Sequence, residues 1–261
     1  MTIGRLLAIG GAAGPALLHR FVALAGGAAS RIVVIAAASA SPADLEDEYV
    51  SAFAGLGAGS VEPLRLAGRA QANEPPDLLR RATGVFFTGG DQQRITSIIG
   101  GTATDSLLQA LVGSGAVVLG GTSAGAAMMS VTMIVGGDGH AVSTGPGLEF
   151  LPGVLIDMHF AERGRLNRLL SAIARYPHEL GLGIDEDTAI LAEGDRFEVL
   201  GSGSVTVVDA GLATDIRLRG DGPIALAGAR VHVLPAGCTF ELSGRRPSIV
   251  DAPAGERGRA A

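Results

Sequence analysis

The stretch Ala116-Val117-Val118-Leu119-Gly120-Gly121-Thr122-Ser123-Ala124-Gly125-Ala126 joins an apolar run to a helix-like segment, Ala126–Ser130, through a turn of small residues. Within it, Gly121 to Gly125 fits the pattern G-x-S-x-G, and the context of strand, sharp turn and helix is the one in which that pattern has mechanical meaning. Small neighbours let the chain turn tightly and lift the Ser123 hydroxyl to the carboxyl end of a sheet. The same turn puts the backbone N–H of Ala124 in a first helical turn, where it can donate to a developing oxyanion. An ordinary glycine-rich strand-to-helix turn, even one that binds phosphate, fits the local pattern equally well.

Leu6–Ile9, Ile32–Ala36 and Gly84–Thr88 are further short apolar runs ending in turn residues. Helix-like segments separate them: Pro42–Phe53, opened by Ser41 and a proline at the first helical position, then Thr104–Leu111, and later Ala161–Tyr176. Strands alternating with helices predict an α/β domain with a mainly parallel sheet. Beyond Thr188 the texture changes to short runs, Ala189–Ala192, Phe197–Leu200, Ser204–Val208, Ile216–Arg219 and Arg230–Leu234, which predict a β-rich, antiparallel C-terminal extension. We expect a single domain over 1–244 and a polar, flexible tail over 245–261.

A second loop, Thr88-Gly89-Gly90-Asp91-Gln92-Gln93, also follows a strand, so a parallel sheet brings it to the same edge as Ser123. It offers a backbone N–H, a polar Gln92, and an Asp91 that also reads as a helix N-cap. A serine nucleophile needs a base, and the chain has His19, His140, His159, His178 and His232. His19 and His178 fall on helix-like segments, His140 in a glycine-rich loop and His232 in the late β region. His159 ends the run Val154–His159 as it feeds a helix, and is the best placed, although a histidine in an apolar strand is commonly a core residue. An orienting acceptor is available in Asp185-Glu186-Asp187, which on composition alone is a solvated acidic turn.

Taken together and in this order, Gly89-Gly90-Asp91-Gln92, Gly121–Ala126, Asp157-Met158-His159-Phe160 through Arg168, and Gly183–Ala189 resemble the cyanophycinase family of serine peptidases, relatives of peptidase E. The resemblance implies a flavodoxin-like fold related to class I glutamine amidotransferases, commonly assembled as a homodimer, with no metal or organic cofactor. Position by position it implies Ser123 as nucleophile, His159 as base, Glu186 as the acid orienting it, and Gly90 and Ala124 as oxyanion-hole donors. Gln92, Asp157, Arg163, Arg165 and Arg168 match the polar residues of the family's substrate pocket. Two departures stand out: Met158 replaces a glutamine beside the base, and the first loop, Gly10-Gly11-Ala12-Ala13-Gly14-Pro15, lacks the charges common there. The resemblance therefore implies a hydrolase of short acidic or β-aspartyl-type peptides that is not efficient on cyanophycin, the aspartate–arginine polymer. A hydrolase or acyltransferase tailoring a specialised metabolite, and a non-catalytic binding module, are the competing readings.

Composition narrows the partners. A formal charge of -6 and a pI near 5.4 leave no broad basic face for nucleic acid. No stretch approaches the roughly 20 apolar residues that a membrane span requires, and the lone Cys238 forms no internal disulfide. The expectation is a soluble, cytoplasmic protein acting on a small peptide or amide.

Overall fold

The computed structural model describes residues 3–139, 142–218 and 224–249. The first half alternates strand and helix as the apolar runs predict: β1 (Leu6–Ile9), α1 (Pro15–Leu24), β2 (Arg31–Ile35), α2 (Pro42–Gly55), β3 (Ser60–Pro63), α3 (Arg69–Ala72), α4 (Asp77–Arg81), β4 (Gly84–Phe87), α5 (Gln92–Ile99), α6 (Ala103–Gly113), β5 (Val118–Thr122) and α7 (Ala124–Ala127). The second half holds β6 (Thr132–Gly137), β7 (Val142–Pro146), β8 (Val154–Met158), α8 (Leu166–Arg175), β9 (Leu180–Ile184), β10 (Thr188–Glu193), β11 (Arg196–Gly201), β12 (Ser204–Asp209), β13 (Asp215–Arg217), β14 (Ala225–Ala227), β15 (Arg230–Pro235), β16 (Thr239–Glu241) and β17 (Arg246–Ser248).

Nine strands form one sheet in the order β17-β16-β11-β10-β1-β5-β4-β2-β3. The five from β1 to β3 in that order are mutually parallel, and β10 joins β1 antiparallel. Side-chain alternation divides the core: Leu7, Ile9, Ile32, Val34 and Phe86 pack under α1 and α2, while Leu6, Ala8, Val33, Ile35, Val85 and Phe87 face α4, α5 and α6. The result is a mostly parallel sheet flanked by helices, with extra C-terminal strands. Among the described residues, no helix is long and apolar enough to cross a membrane.

Part of the β-rich half departs from a simple extension. β8 and β9 run parallel, and β12 and β15 add antiparallel to make a separate four-stranded sheet, β15-β12-β9-β8. The acidic segment Asp185-Glu186-Asp187 is where the chain passes from this sheet into β10 of the other. The helix expected from Ala161 starts only at Leu166, because His159 and Gly164 both adopt positive φ and residues 161–165 form turns. His178 lies in a turn rather than a helix. The expected flexible tail begins too early: β17 pairs with β16, and Arg245 is ion-paired with the buried Asp209. Residues 250–261, His140 and Arg219 lie outside the described residues.

Candidate active site

Parallel register places three loops around one point. Leu7, Ala8 and Ile9 sit opposite Gly120, Gly121 and Thr122, and Phe87 opposite Gly121. Gly10-Gly11 and Gly89-Gly90 therefore flank the turn at Ser123 from either side. Ser123 has φ 51° and ψ -108°, a conformation that costs an L-residue about 1–3 kcal/mol and persists only where the surroundings impose it. They do: its N–H donates to the Ile9 carbonyl at 2.9 Å, and its own carbonyl accepts from Ala126 and Ala127 at 3.0 Å. Both glycines of the pattern are steric necessities. A Cβ on Gly121 would lie 2.4 Å from the Gly125 carbonyl oxygen, and one on Gly125 would lie 2.3 Å from that of Phe87.

The half-buried Ser123 Oγ lies 2.9 Å from His159 Nε2, and His159 Nδ1 lies 2.6 Å from Glu186 Oε1. With Nδ1 protonated and donating to Glu186, Nε2 is left to accept from the serine hydroxyl. His159 is drawn across from β8 by its N–H, which donates to the Gly10 carbonyl at 2.7 Å. Gly11 fits against the pair so closely that a Cβ there would be 2.6 Å from His159 Nδ1 and 2.8 Å from Glu186 Cγ. The first loop, notable in the sequence only for its lack of charge, is thus the plate on which the histidine and glutamate rest. Thr122 Oγ1 holds it by donating to the Gly11 carbonyl at 2.6 Å.

The structure separates the three carboxylates between β9 and β10. Asp185 is buried and accepts from the Ala161 N–H and from the N–H and hydroxyl of Ser204. Asp187 accepts from the Gly14 N–H at 2.8 Å and the Ser202 hydroxyl at 3.0 Å, while its own N–H donates to the Ala12 carbonyl. Both are anchors of the surrounding loops, and Glu186 alone faces the imidazole. On the other flank, Asp91 caps α5 by accepting from the Gln93 N–H. Among the described residues, no acceptor meets the backbone N–H of Gly90 or Ala124.

Comparison with known proteins decides the family. The model for peptidase family S51 matches residues 6–200. The chain belongs to peptidase family S51. Among curated proteins, a cyanophycinase from Geminocystis herdmanii is 36% identical over 93% of this chain and 95% of its own length. One from Synechococcus elongatus is 39% identical over 92% and 79%. Among solved structures, a peptidase from an acI-B1 Actinobacterium superposes with a TM-score of 0.70 at 22% identity, covering 92% of this chain and 97% of that one. The chain is thus a serine peptidase of the cyanophycinase family, and its fold is that of S51 peptidases.

The remaining polar residues matched from sequence do not all line a pocket. Asp157 is fully buried and lies under Arg165 and Arg168, the latter donating from both Nε and Nη2. Arg165 also donates to the Met158 carbonyl at 2.5 Å, and burial pulls its pKa below that of an ordinary guanidinium. The three form a nearly closed ion cluster, whereas Arg163 is exposed and its backbone N–H donates to the His159 carbonyl at 3.1 Å. Gln92 donates from Nε2 to the Ile134 carbonyl at 2.6 Å, which fixes its side chain at the edge of the site. Met158 is buried. Gly11 and Asp187 were not singled out from sequence for these roles; a paired glycine directly after a first strand was the available signal.

Proposed function

We propose that Ser123, His159 and Glu186 are the catalytic triad of this S51 peptidase, and that it cleaves short, acidic or β-aspartyl-type peptides. The carrying observation is the unbroken hydrogen-bond chain from Ser123 Oγ through His159 to Glu186 Oε1, at 2.9 and 2.6 Å, built from three separate strand ends. In this reading His159 Nε2 takes the proton as Ser123 Oγ bonds to the scissile carbonyl carbon, and the carbonyl electrons move onto oxygen. The N–H groups of Gly90 and Ala124 receive that oxyanion. Glu186 stabilises the imidazolium, which then protonates the departing amine. Water, deprotonated by His159, releases the acyl group and restores Ser123.

Substrate choice rests on the surrounding charge. Arg163, exposed and one turn after the base, is the cation available to an acidic substrate group, while Arg165 and Arg168 act through Asp157 to stiffen the segment that carries His159. Cyanophycin itself is expected to be a poor substrate, since Met158 and the uncharged Ala12-Ala13-Gly14-Pro15 segment supply no partner for its guanidinium groups. A second reading, efficient cleavage of cyanophycin, is favoured by the 36–39% identity to cyanophycinases. The test incubates wild type and Ser123→Ala with β-aspartyl dipeptides, short acidic α-peptides and purified cyanophycin, and follows amine and dipeptide release by mass spectrometry. Release from the short peptides that disappears in the variant supports the reading. Cyanophycin turnover matching that of an authentic cyanophycinase moves the assignment to the second reading, and no release from any of them refutes both.

A further inference from the structure

A cavity of about 450 Å³ at the carboxyl edge of the sheet takes no part in the chemistry above. Ala36 and Ala37 after β2 and Leu66 after β3 give it apolar walls, and Glu46, Arg65 and Arg94 give it charge. It adjoins the point where strand order reverses: from β2 the chain moves outward to β3, and from β4 inward to β5, with α2 and α5 on opposite faces. Crevices outside the carboxyl ends of strands at such a reversal are the general ligand sites of open α/β sheets. β2 is two strands from β5, about 10 Å at the usual spacing of roughly 4.8 Å. At about 3.3 Å per extended residue, that distance is three residues of a peptide. The wall is continuous with the catalytic edge, because the Asp91 N–H donates to the Ala38 carbonyl at 3.0 Å and Gly90 packs against the same oxygen.

Of the charged residues that line the cavity, Arg65 and Arg94 are cationic and Glu46 is anionic, with Asp44 and Asp47 on α2 outside the lining. Glu46 is buried and accepts from Arg65 Nε at 2.6 Å, so that pair is neutral. Arg94 spends its Nε on the Ala37 carbonyl, and among the described residues no acceptor meets its two terminal nitrogens. Pro42 and Ala43, which open α2, also line the cavity, and Ser41 makes no side-chain cap there. Pro42 carries no N–H, and among the described residues no acceptor meets the N–H of Ala43 or Asp44, so these two add positive potential at the helix end. Asp44 in the same turn is exposed and outside the lining. A guanidinium or ammonium would have to displace Arg65 from Glu46, whereas a carboxylate on a short aliphatic stem meets Arg94 and the helix end at once.

We propose that this cavity is a remote specificity subsite that binds a carboxylate-bearing residue of the substrate about three residues from the cleaved bond, with Arg94 as its anchor. The inference rests on the reading of Ser123 as nucleophile for its distance from the bond, but its test does not. In full-length Ser123→Ala protein, dissociation constants are measured by NMR titration for N-succinyl-Ala-Ala-amide and the neutral N-butyryl-Ala-Ala-amide. The succinyl ligand should bind at least tenfold more tightly, Arg94→Met should abolish that preference, and Arg94→Lys should restore part of it, with circular dichroism verifying that each variant is folded. Equal affinity for the two ligands, a preference that survives Arg94→Met, or tighter binding of 4-guanidinobutyryl-Ala-Ala-amide overturns the proposal. Failure of the catalytic reading would appear elsewhere, as loss of reactivity at Ser123 in the unmodified chain.

Discussion

Gly11→Ala probes the catalytic arrangement without replacing any proposed catalytic side chain. Gly11 does not have positive φ, so alanine fits its backbone, and the effect comes from one methyl group. That methyl would lie 2.6 Å from His159 Nδ1, and reaching ordinary contact at about 3.4 Å requires the ring to retreat by about 0.8 Å. The bond from Nδ1 to Glu186, now 2.6 Å, would pass beyond hydrogen-bonding range or bend away from it. A misplacement near 1 Å costs about 10²-fold, and losing the orienting acid of a triad about 10⁴-fold, so turnover should fall by about 10² to 10⁴. Overpacking costs about 1–3 kcal/mol, a few degrees in Tm, and the protein stays folded. The assay is the second-order rate of fluorophosphonate labelling, read beside a thermal melt. Labelling within threefold of wild type, in a folded variant, would refute the reasoning. Gly14→Ala is the control: its methyl meets Asp187 rather than the triad and should slow labelling far less.

Glu186→Gln should lower turnover by about 10² to 10⁴ with Tm unchanged, whereas Asp185→Ala, which strands three donors, should cost about 1–3 kcal/mol in urea denaturation. The opposite split would transfer the catalytic role to Asp185. Asp157→Ala leaves Arg165 and Arg168 without their buried partner and should destabilise by about 3–5 kcal/mol; a loss below 1 kcal/mol would show the cluster to be weakly coupled to folding. Burial raises the pKa of Glu179, one oxygen of which accepts from Thr132 while the other has no partner among the described residues. Its contribution to stability is therefore fully present below the ordinary carboxylate range and lost as pH rises through the raised value, and Glu179→Gln should flatten that slope in denaturation series across this range. An unchanged slope would be evidence against the assignment.

Legibility in the sequence followed locality. The turn at Ser123 was readable because its constraints, two glycines that must admit carbonyl oxygens, sit within two residues of the serine. His159 was readable as a strand end, but its positive φ, which turns it toward Gly10, depends on packing between two sheets. Asp185, Glu186 and Asp187 are indistinguishable by composition; the family resemblance singled out Glu186, and only contacts with Ala161, Ser204, Gly14 and Ser202 reveal what the aspartates do. The family resemblance matched Arg165 and Arg168 to pocket residues, and their pairing with the buried Asp157 was not legible because a sequence does not say whether a carboxylate lies beneath a helical face. The second sheet was missed for a similar reason, since the short runs of β9, β12 and β15 carry no mark of which neighbour they pair with.

The central claim is that Ser123 is an activated nucleophile, and a fluorophosphonate probe with intact-mass detection and peptide mapping tests it directly. The account predicts a single adduct on wild-type protein, mapped to Ser123 and absent from a folded Ser123→Ala variant. No adduct on wild type, or one that persists in the variant, would contradict it.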